Sequence, residues 1–405
     1  MNILVVTQMY SQPDDVGENK PTKTVNYFAK EWVASGHRVV VMHCPSKFPI
    51  AYYLVPSAIK DKISGRISTM TPPIASRKEL CRNENGIEVY RLPMLKFYPG
   101  QAYSAKKMQA QAEKISRILE EIRFVPEVII GHFANPSTEL VARLAQQYNA
   151  KSSIVFHHDC DTNEIAKYRI AENIKHIGAI GARSVVEAQE VQQNLHLKEL
   201  PFVCCSGVPN DAVAAAAKIC DKHHFENGIT YLCVAGLLKK KNIDAVLTAF
   251  ADRAHENDEL FIVGGGPEAE PLQTLAANLH TAGKIVFTGR VSREEVLQYM
   301  KKAQVFALIS DDEVYGMVYI EAMLQGCLVI ASKDGGFDGI IKDGVNGFIC
   351  NPGDTDMLQA IYANIETLTT EERNAIGQRA IDTAVHYSER EVAERYLNDV
   401  LKKNQ

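Results

Sequence analysis

ILVVT at residues 3–7 and VVVM at residues 39–42 are short, uninterrupted apolar runs with the length and β-branching of strands buried on both faces. Between them Val25, Phe28, Ala29, Trp32 and Val33 recur at helical spacing, and Gly36 follows as a stop. Together these segments predict a β-α-β unit, the building block of a parallel sheet. The alternation continues through runs at 128–130, 153–156, 178–180 and 202–204, each separated from the next by a helix-length segment. After Pro209 it begins afresh with runs at 230–235, 260–263, 285–288, 305–308, 328–331 and 347–349, with helices predicted at 243–250, 294–301 and 319–324. The expectation is therefore an α/β chain with two doubly wound domains, over 1–207 and 208–385. In residues 386–405, Ser388 caps a predicted helix over 389–401 that carries Val392, Tyr396, Leu397 and Val400 on one face, and a return to the first domain is open. Residues 45–99, with Pro72 and Pro73 in tandem, show little periodicity and predict an irregular excursion, often a functional feature.

Size and composition agree with two domains. A chain of 405 residues exceeds the roughly 250–300 residues at which a single core stops growing, and 46% hydrophobic with 23% charged residues is an ordinary globular composition. The nine cysteines are irregularly spaced without a CxxC pair, which suits small buried hydrophobes in a reducing compartment. The start, MNILVVTQMY, has no basic leader, and no run approaches the roughly 18 apolar residues of a bilayer span, so a cytoplasmic protein is expected. A net charge of −5 argues against a nucleic-acid partner. That balance is uneven: residues 1–125 hold 18 Lys and Arg against 11 Asp and Glu, or +7, leaving 26 against 38, or −12, for the remainder. A basic first domain suits an anionic surface or acceptor.

Open parallel sheets bind ligands beyond the carboxyl ends of their strands, so the post-strand loops are where chemistry is sought. The richest is SDDEVYGMVYIEAM, residues 310–323, with Glu313 in the loop and Glu321 eight positions later, inside a helix that starts near Gly316. A helix amino terminus offers unpaired N–H groups and partial positive charge, and glycine there lets a phosphate approach the backbone.

This segment resembles the E-x7-E motif of retaining glycosyltransferases of family four, which have the GT-B fold. The similarity extends over GMVYIEAMLQGCLVIASKDGGFDGIIKDGVNGFICNPGD (316–354) and touches NILVVTQMYSQP (2–13), ASGHRVVVM (34–42), GHFANPS (131–137), SGVPN (206–210) and VAGLLKKKNID (234–244). The resemblance implies two Rossmann-like domains facing across a cleft and a nucleoside diphosphate sugar as donor. By position, it implies that Glu321 holds the ribose hydroxyls, that Glu313 lies near the transferred sugar or the diphosphate, and that backbone N–H groups of Gly316, Met317 and Val318 bind phosphate. Lys241 falls on the family's diphosphate lysine, whereas Gly236 occupies the place of its arginine, with Lys239 or Lys240 able to compensate. His132 matches the histidine that faces the donor sugar. His158 and Asp161 match the H-G-x-D signature with Asp159 in place of glycine, an alternative register uses His157, and Gly17 joins His158 and Asp161 as candidates for sugar or acceptor contact.

Gly264, Gly265 and Gly266 follow a predicted strand, but Ala269 stands where a dinucleotide fingerprint needs its third glycine. Gly264 and Gly266 are read instead as a tight loop near nucleobase or phosphate. Asp159-Cys160-Asp161 and Asp354-Thr355-Asp356 both spell D-x-D, a metal site in the other large glycosyltransferase fold; two hits in one chain show how unspecific the pattern is, and Asp354 suits a helix cap. The expected activity is retaining, metal-independent sugar transfer without a cofactor, with a uridine donor favoured. The acceptor is a glycan or lipid-linked hydroxyl, in cell-surface polysaccharide or glycoconjugate synthesis, with peripheral contact at the inner face of an anionic membrane. The alternatives are a GT-B nucleotide-sugar epimerase and a catalytically silent sugar-nucleotide-binding protein.

Overall fold

The structure is a computed structural model, and it describes residues 1–11, 23–55, 77–216, 222–223, 225, 227–311, 316–333, 335–337 and 339–404. It divides into two compact units: the first comprises Met1–Arg183, Glu187–Cys204 and Ala393–Gln405, the second Ser184–Val186 and Cys205–Val392.

The strands of the first unit, in chain order, are β1 (Asn2–Thr7), β2 (Arg38–His43), β3 (Ser46–Lys47), β4 (Leu80–Glu84), β5 (Ile87–Arg91), β6 (Met94–Leu95), β7 (Val128–His132), β8 (Lys151–Val155), β9 (Ala179–Ala182) and β10 (Phe202–Val203). All but β3 and β6 form one sheet in the order β10-β9-β8-β7-β1-β2-β5-β4. Its central strands are buried almost end to end, which is why they read as unbroken apolar runs. The helix Thr24–Ala34 buries Val25, Phe28, Ala29 and Trp32 on the expected face. The Trp32 indole N–H donates to the carbonyl of Ala393 at 3.0 Å, and the Asn404 amide brackets Ser152 of β8, accepting from its N–H at 3.0 Å and donating to its carbonyl at 3.1 Å. These bonds explain why the end of the helix Glu389–Lys403 belongs to the first unit.

The expected irregular excursion is partly regular. β4 and β5 form an antiparallel hairpin at the sheet edge, and β3 pairs in parallel with β6. The signal was in the sequence: Asn85-Gly86, with φ of 52° and 85°, is the dipeptide a two-residue hairpin turn requires, and β5 alternates buried and half-buried residues. Its basic and polar residues masked that short period. Residues 56–76 lie outside the described residues.

The second unit has β11 (Thr230–Val234), β12 (Glu259–Val263), β13 (Lys284–Gly289), β14 (Val305–Leu308), β15 (Leu328–Ser332) and β16 (Phe348–Cys350), all parallel, in the order β13-β12-β11-β14-β15-β16. Both units are thus Rossmann-like. In each sheet the strand order reverses at one strand: β1 lies between β2 and β7, and β11 between β12 and β14. The crevice beyond the carboxyl ends at such a reversal is the ligand position in open α/β sheets.

In the second unit the loops at that reversal are laced by backbone bonds. Ala235 N–H donates to Val263 at 3.1 Å, Leu237 N–H to Gly265 at 3.2 Å, Gly264 N–H to Gly289 at 3.0 Å and Asp311 N–H to Lys240 at 2.7 Å. Gly264 holds φ at +144°, and a Cβ there would lie 1.8 Å from the carbonyl oxygen of Ala235, a backbone atom that cannot swing aside. Gly264→Ala is therefore expected to destabilise the protein by at least about 1–3 kcal/mol, the range of core overpacking. Urea denaturation checks this, and an unchanged midpoint would refute the interlock.

Candidate functional site

The reversal in the second unit gathers most of the predicted donor residues. Gly316 sits at φ +56° and begins the helix Met317–Leu324. Its carbonyl accepts from the N–H of Tyr319 at 2.9 Å, and the Tyr319 hydroxyl donates to the carbonyl of Leu308 at 2.7 Å, which pins the helix start to the end of β14. Met317 and Val318 occupy the first turn, where N–H groups have no partner within a helix. Lys241 closes the short helical turn Lys239–Lys241 after β11, and the Asn242 side chain donates to the carbonyl of Ile309 at 2.9 Å, tying that turn to the β14 loop. The exposed Lys239 ammonium pairs with Asp244 at 3.3 Å. At Gly236 a Cβ would meet nothing within 4 Å, so the place where the family carries arginine is sterically open.

Gly264 and Gly266 line the same loops, and their demand for glycine has a cause internal to the fold: a Cβ at Gly266 would stand 2.3 Å from the carbonyl of Leu237. The helix beyond begins at Ala269. Glu313 and Gly17 lie outside the described residues.

Glu321 is mostly buried, and its Oε1 accepts from the Arg293 guanidinium at 2.5 Å. Among the described residues none bonds Oε2, which leaves a carboxylate oxygen for a hydroxyl donor. Arg293 escaped the sequence reading. Ser292 and Glu295 form a capping box that starts the helix Arg293–Lys302, and that signature marks where the arginine sits, though not what it meets.

In the first unit, His132 ends β7 and is fully buried. Its Nδ1 lies 3.0 Å from His157 Nε2 and its Nε2 lies 3.4 Å from the Tyr396 hydroxyl. An imidazole enclosed on both nitrogens offers nothing outward, so the expectation that His132 faces the sugar gives way to a different arrangement: the partly exposed imidazole is His157, stacked on Phe133 with ring centroids 4.0 Å apart. Burial holds the His132 pKa down to about 3, assisted by the Arg183 charge, and the same causes hold His157 well below the ordinary histidine value. Both rings are neutral at pH 7.

Asp159, which stands where the signature has glycine, accepts from the backbone N–H of His157 at 2.8 Å and from that of Ala134. Burial raises its carboxyl to about 7 against the pull of those two bonds. It thereby ties the β7 loop to the β8 loop, a role the motif comparison missed. Asp161 caps the helix Thr162–Lys167, its Oδ1 accepting from Asn163 and Glu164 N–H at 2.8 Å each in a capping box, so one carboxylate oxygen is engaged by the fold. His158 is exposed at φ +58°, and its N–H donates to the Glu187 carboxylate. Of the two histidine registers, His157 is the one joined to His132. Asp354 caps the helix Thr355–Thr367, as its position after Pro352-Gly353 suggested.

Residues 217–383 match the family model described as glycosyl transferases group 1. Curated relatives include the α-monoglucosyldiacylglycerol synthase of Streptococcus pneumoniae, 29% identical over 177 residues, which covers 43% of this chain and 40% of that protein. A GDP-mannose-dependent α-(1-6)-phosphatidylinositol monomannoside mannosyltransferase of Mycolicibacterium smegmatis is 31% identical over 172 residues, covering 39% of this chain and 45% of that protein. The chain thus spans less than half the length of these relatives. Solved structures similar to it include a glycosyltransferase of Rickettsia africae, with a TM-score of 0.66 at 17% identity over 99% of this chain and 98% of that one. Anabaena HepE in complex with UDP gives 0.64 at 17% identity over 99% of this chain and 100% of that one. The likeness to these structures gives the chain the GT-B fold, and the group 1 model matches its residues 217–383.

The low pKa of His132 has a measurable consequence. An unfolded histidine titrates near 6.5, so below that pH the unfolded chain binds a proton the folded chain refuses, and stability falls as pH falls. Between pH 6.5 and 5 this amounts to about 2 kcal/mol. Asp159, its pKa raised, pulls the opposite way in the same window but is common to wild type and variant. Urea denaturation at the two pH values is expected to show wild type losing about 2 kcal/mol more than His132→Asn; equal losses would contradict a neutral buried imidazole.

Proposed function

We propose that the protein is a retaining glycosyltransferase that moves a sugar from a nucleoside diphosphate donor to an acceptor hydroxyl. The observation that carries this reading is the convergence, at the strand reversal of the second unit, of Lys241, the first-turn N–H groups of Met317 and Val318, and Glu321 with one oxygen open, all within the stretch that matches the glycosyl transferase model. Lysine and helix N–H groups suit a diphosphate, and a carboxylate suits ribose hydroxyls. Cation and dipoles together can stabilise the departing diphosphate without a divalent ion. A donor phosphate oxygen takes the acceptor proton on the face the leaving group vacates, so retention needs no side-chain nucleophile, and catalysis rests on orientation and electrostatics. A uridine donor is favoured, as in the UDP complex of Anabaena HepE.

The acceptor is proposed to be lipid-linked, in cell-surface glycoconjugate synthesis, as the names of the lipid-modifying relatives suggest. On the first unit, Ile50 and Leu54 follow β3 and Phe97 and Tyr98 follow its partner β6, and all four side chains are exposed, Leu54 at 79% and Phe97 at 62%. The Lys107 ammonium lies 5.4 Å over the Phe97 ring, with Lys106 and Lys78 also exposed. Aromatic and aliphatic groups beside lysines suit an anionic interface. Two nearby residues do not belong to this surface: Lys96 is 3% exposed, lying over the Tyr103 ring, and Phe48 is 1% exposed. Lys60, Lys62 and Arg66 lie outside the described residues. Among the described residues, no helix is long and apolar enough to cross a membrane, so attachment would be peripheral.

Two experiments test the reading. With a panel of nucleotide sugars in excess chelator, wild type is expected to turn over and Glu321→Ala to lose donor affinity by roughly 1–3 kcal/mol, the cost of leaving ribose hydroxyls unpaired, with its fold intact. Wild-type kinetics in the folded variant would refute the ribose assignment, and activity only after added manganese or magnesium would refute the metal-free mechanism. For the membrane, co-sedimentation is expected with anionic vesicles at low salt and to weaken at high salt, since screening shortens. Equal, negligible binding to neutral and anionic vesicles at both salts would remove this part of the proposal.

A further inference from the structure

Four polar side chains inside the first unit form a line. Ser153 Oγ lies 3.4 Å from the Tyr396 hydroxyl, that hydroxyl lies 3.4 Å from His132 Nε2, and His132 Nδ1 lies 3.0 Å from His157 Nε2. Ser153, Tyr396 and His132 are at most 2% exposed, and His157 is partly exposed. Rings hold the line in place: Phe28 stacks on His132 at 5.8 Å and meets the edge of Tyr396 at 5.2 Å, while His157 stacks on Phe133.

The direction of donation follows from the hydrogens available. With both imidazoles neutral, each carries one N–H, and each hydroxyl carries one O–H. If Tyr396 donated to Ser153, the buried serine hydrogen would have no acceptor among the described residues, a penalty a native core avoids. Ser153 therefore donates to Tyr396 and Tyr396 to His132 Nε2. His132 then carries its proton on Nδ1 and donates to His157 Nε2, which leaves the His157 proton on Nδ1, at the partly exposed end of the line.

We propose that Ser153, Tyr396 and His132 form a one-way hydrogen-bond relay that fixes His157 as an Nδ1–H donor toward a substrate hydroxyl. The relay is a property of the free protein, while the identity of the recipient rests on the glycosyltransferase reading above. Tyr396 and His132 act through His157 and are positioning residues. Tyr396 lies on the last helix of the chain, so a residue about 240 positions from His157 in sequence sets its tautomer (396 − 157 = 239).

Long-range proton–nitrogen NMR of the imidazoles, on the full chain without ligand at pH 7, tests the relay directly. The expected result is an Nδ1–H tautomer for both His132 and His157 in wild type, and a redistribution toward Nε2–H in Tyr396→Phe, which keeps the ring packing and removes only the hydroxyl. Nε2–H on His157 in wild type, or unchanged tautomers in Tyr396→Phe, would overturn the relay. Should Tyr396→Phe not fold, the wild-type spectrum is already decisive, and Ser153→Ala, which leaves the Tyr396 hydrogen only His132 Nε2 as acceptor, is expected to keep Nδ1–H on both imidazoles, a shift to Nε2–H overturning the relay. For the recipient, His157→Phe is expected to lower kcat/KM with the active nucleotide sugar roughly tenfold, the weight of one lost hydrogen bond. Wild-type kcat/KM in that variant would overturn the donor role. Absence of turnover in wild type with the expected tautomers would count against the glycosyltransferase reading and for the relay.

Discussion

A parallel strand buried on both faces can offer chemistry only at its ends, and that constraint organises both units. The side chains of β1, β7, β11 and β14 are given to packing on either side, so polar groups concentrate where each strand stops. In open sheets the loops diverge at the strand where the order reverses, and a crevice forms there without any residue being dedicated to making it. The candidate residues fall at these places: Lys241 after β11, Gly316 after β14, His132 at the end of β7 and His157 after β8.

Charge at these loops is handled by pairing with the backbone before any ligand is considered. Asp159 ties two loops together through two N–H groups, and Asp161 and Asp354 each cap a helix. These three aspartates account for most of the two D-x-D patterns, which explains how the same short motif arises twice without a shared purpose. Glu321 is different, because its partner is another side chain, Arg293, and one oxygen remains. A group satisfied by backbone bonds is locked by the fold; one paired with a flexible arginine keeps the freedom to exchange partners.

The first unit treats its histidines in the same way. Burial strips His132 and His157 of charge, so their use is confined to neutral hydrogen bonding, in which tautomer matters more than pKa. Stacked and edge-on rings around His132 then restrict each nitrogen to one partner.

The sequence by itself determined the architecture, because the hydrophobic run lengths and the helical spacing of Val25, Phe28, Ala29 and Trp32 are local signals that survive in any tertiary context. It also placed the helix start at Gly316 and the caps at Asp354 and Ser388, since caps act on N–H groups two or three residues away. It underread the hairpin of β4 and β5, whose short polar alternation is weak although Asn85-Gly86 announces the turn. Only the tertiary structure decided that His157 and not His132 reaches outward, that Lys96 is buried, and that Arg293 meets Glu321. Each of these depends on which of two neighbouring side chains points inward, or on groups 28 to 264 residues apart in sequence, such as Arg293 with Glu321 and His132 with Tyr396. Periodicity and spacing carry no information about such pairs, because the distance between them is set by the packing of whole elements.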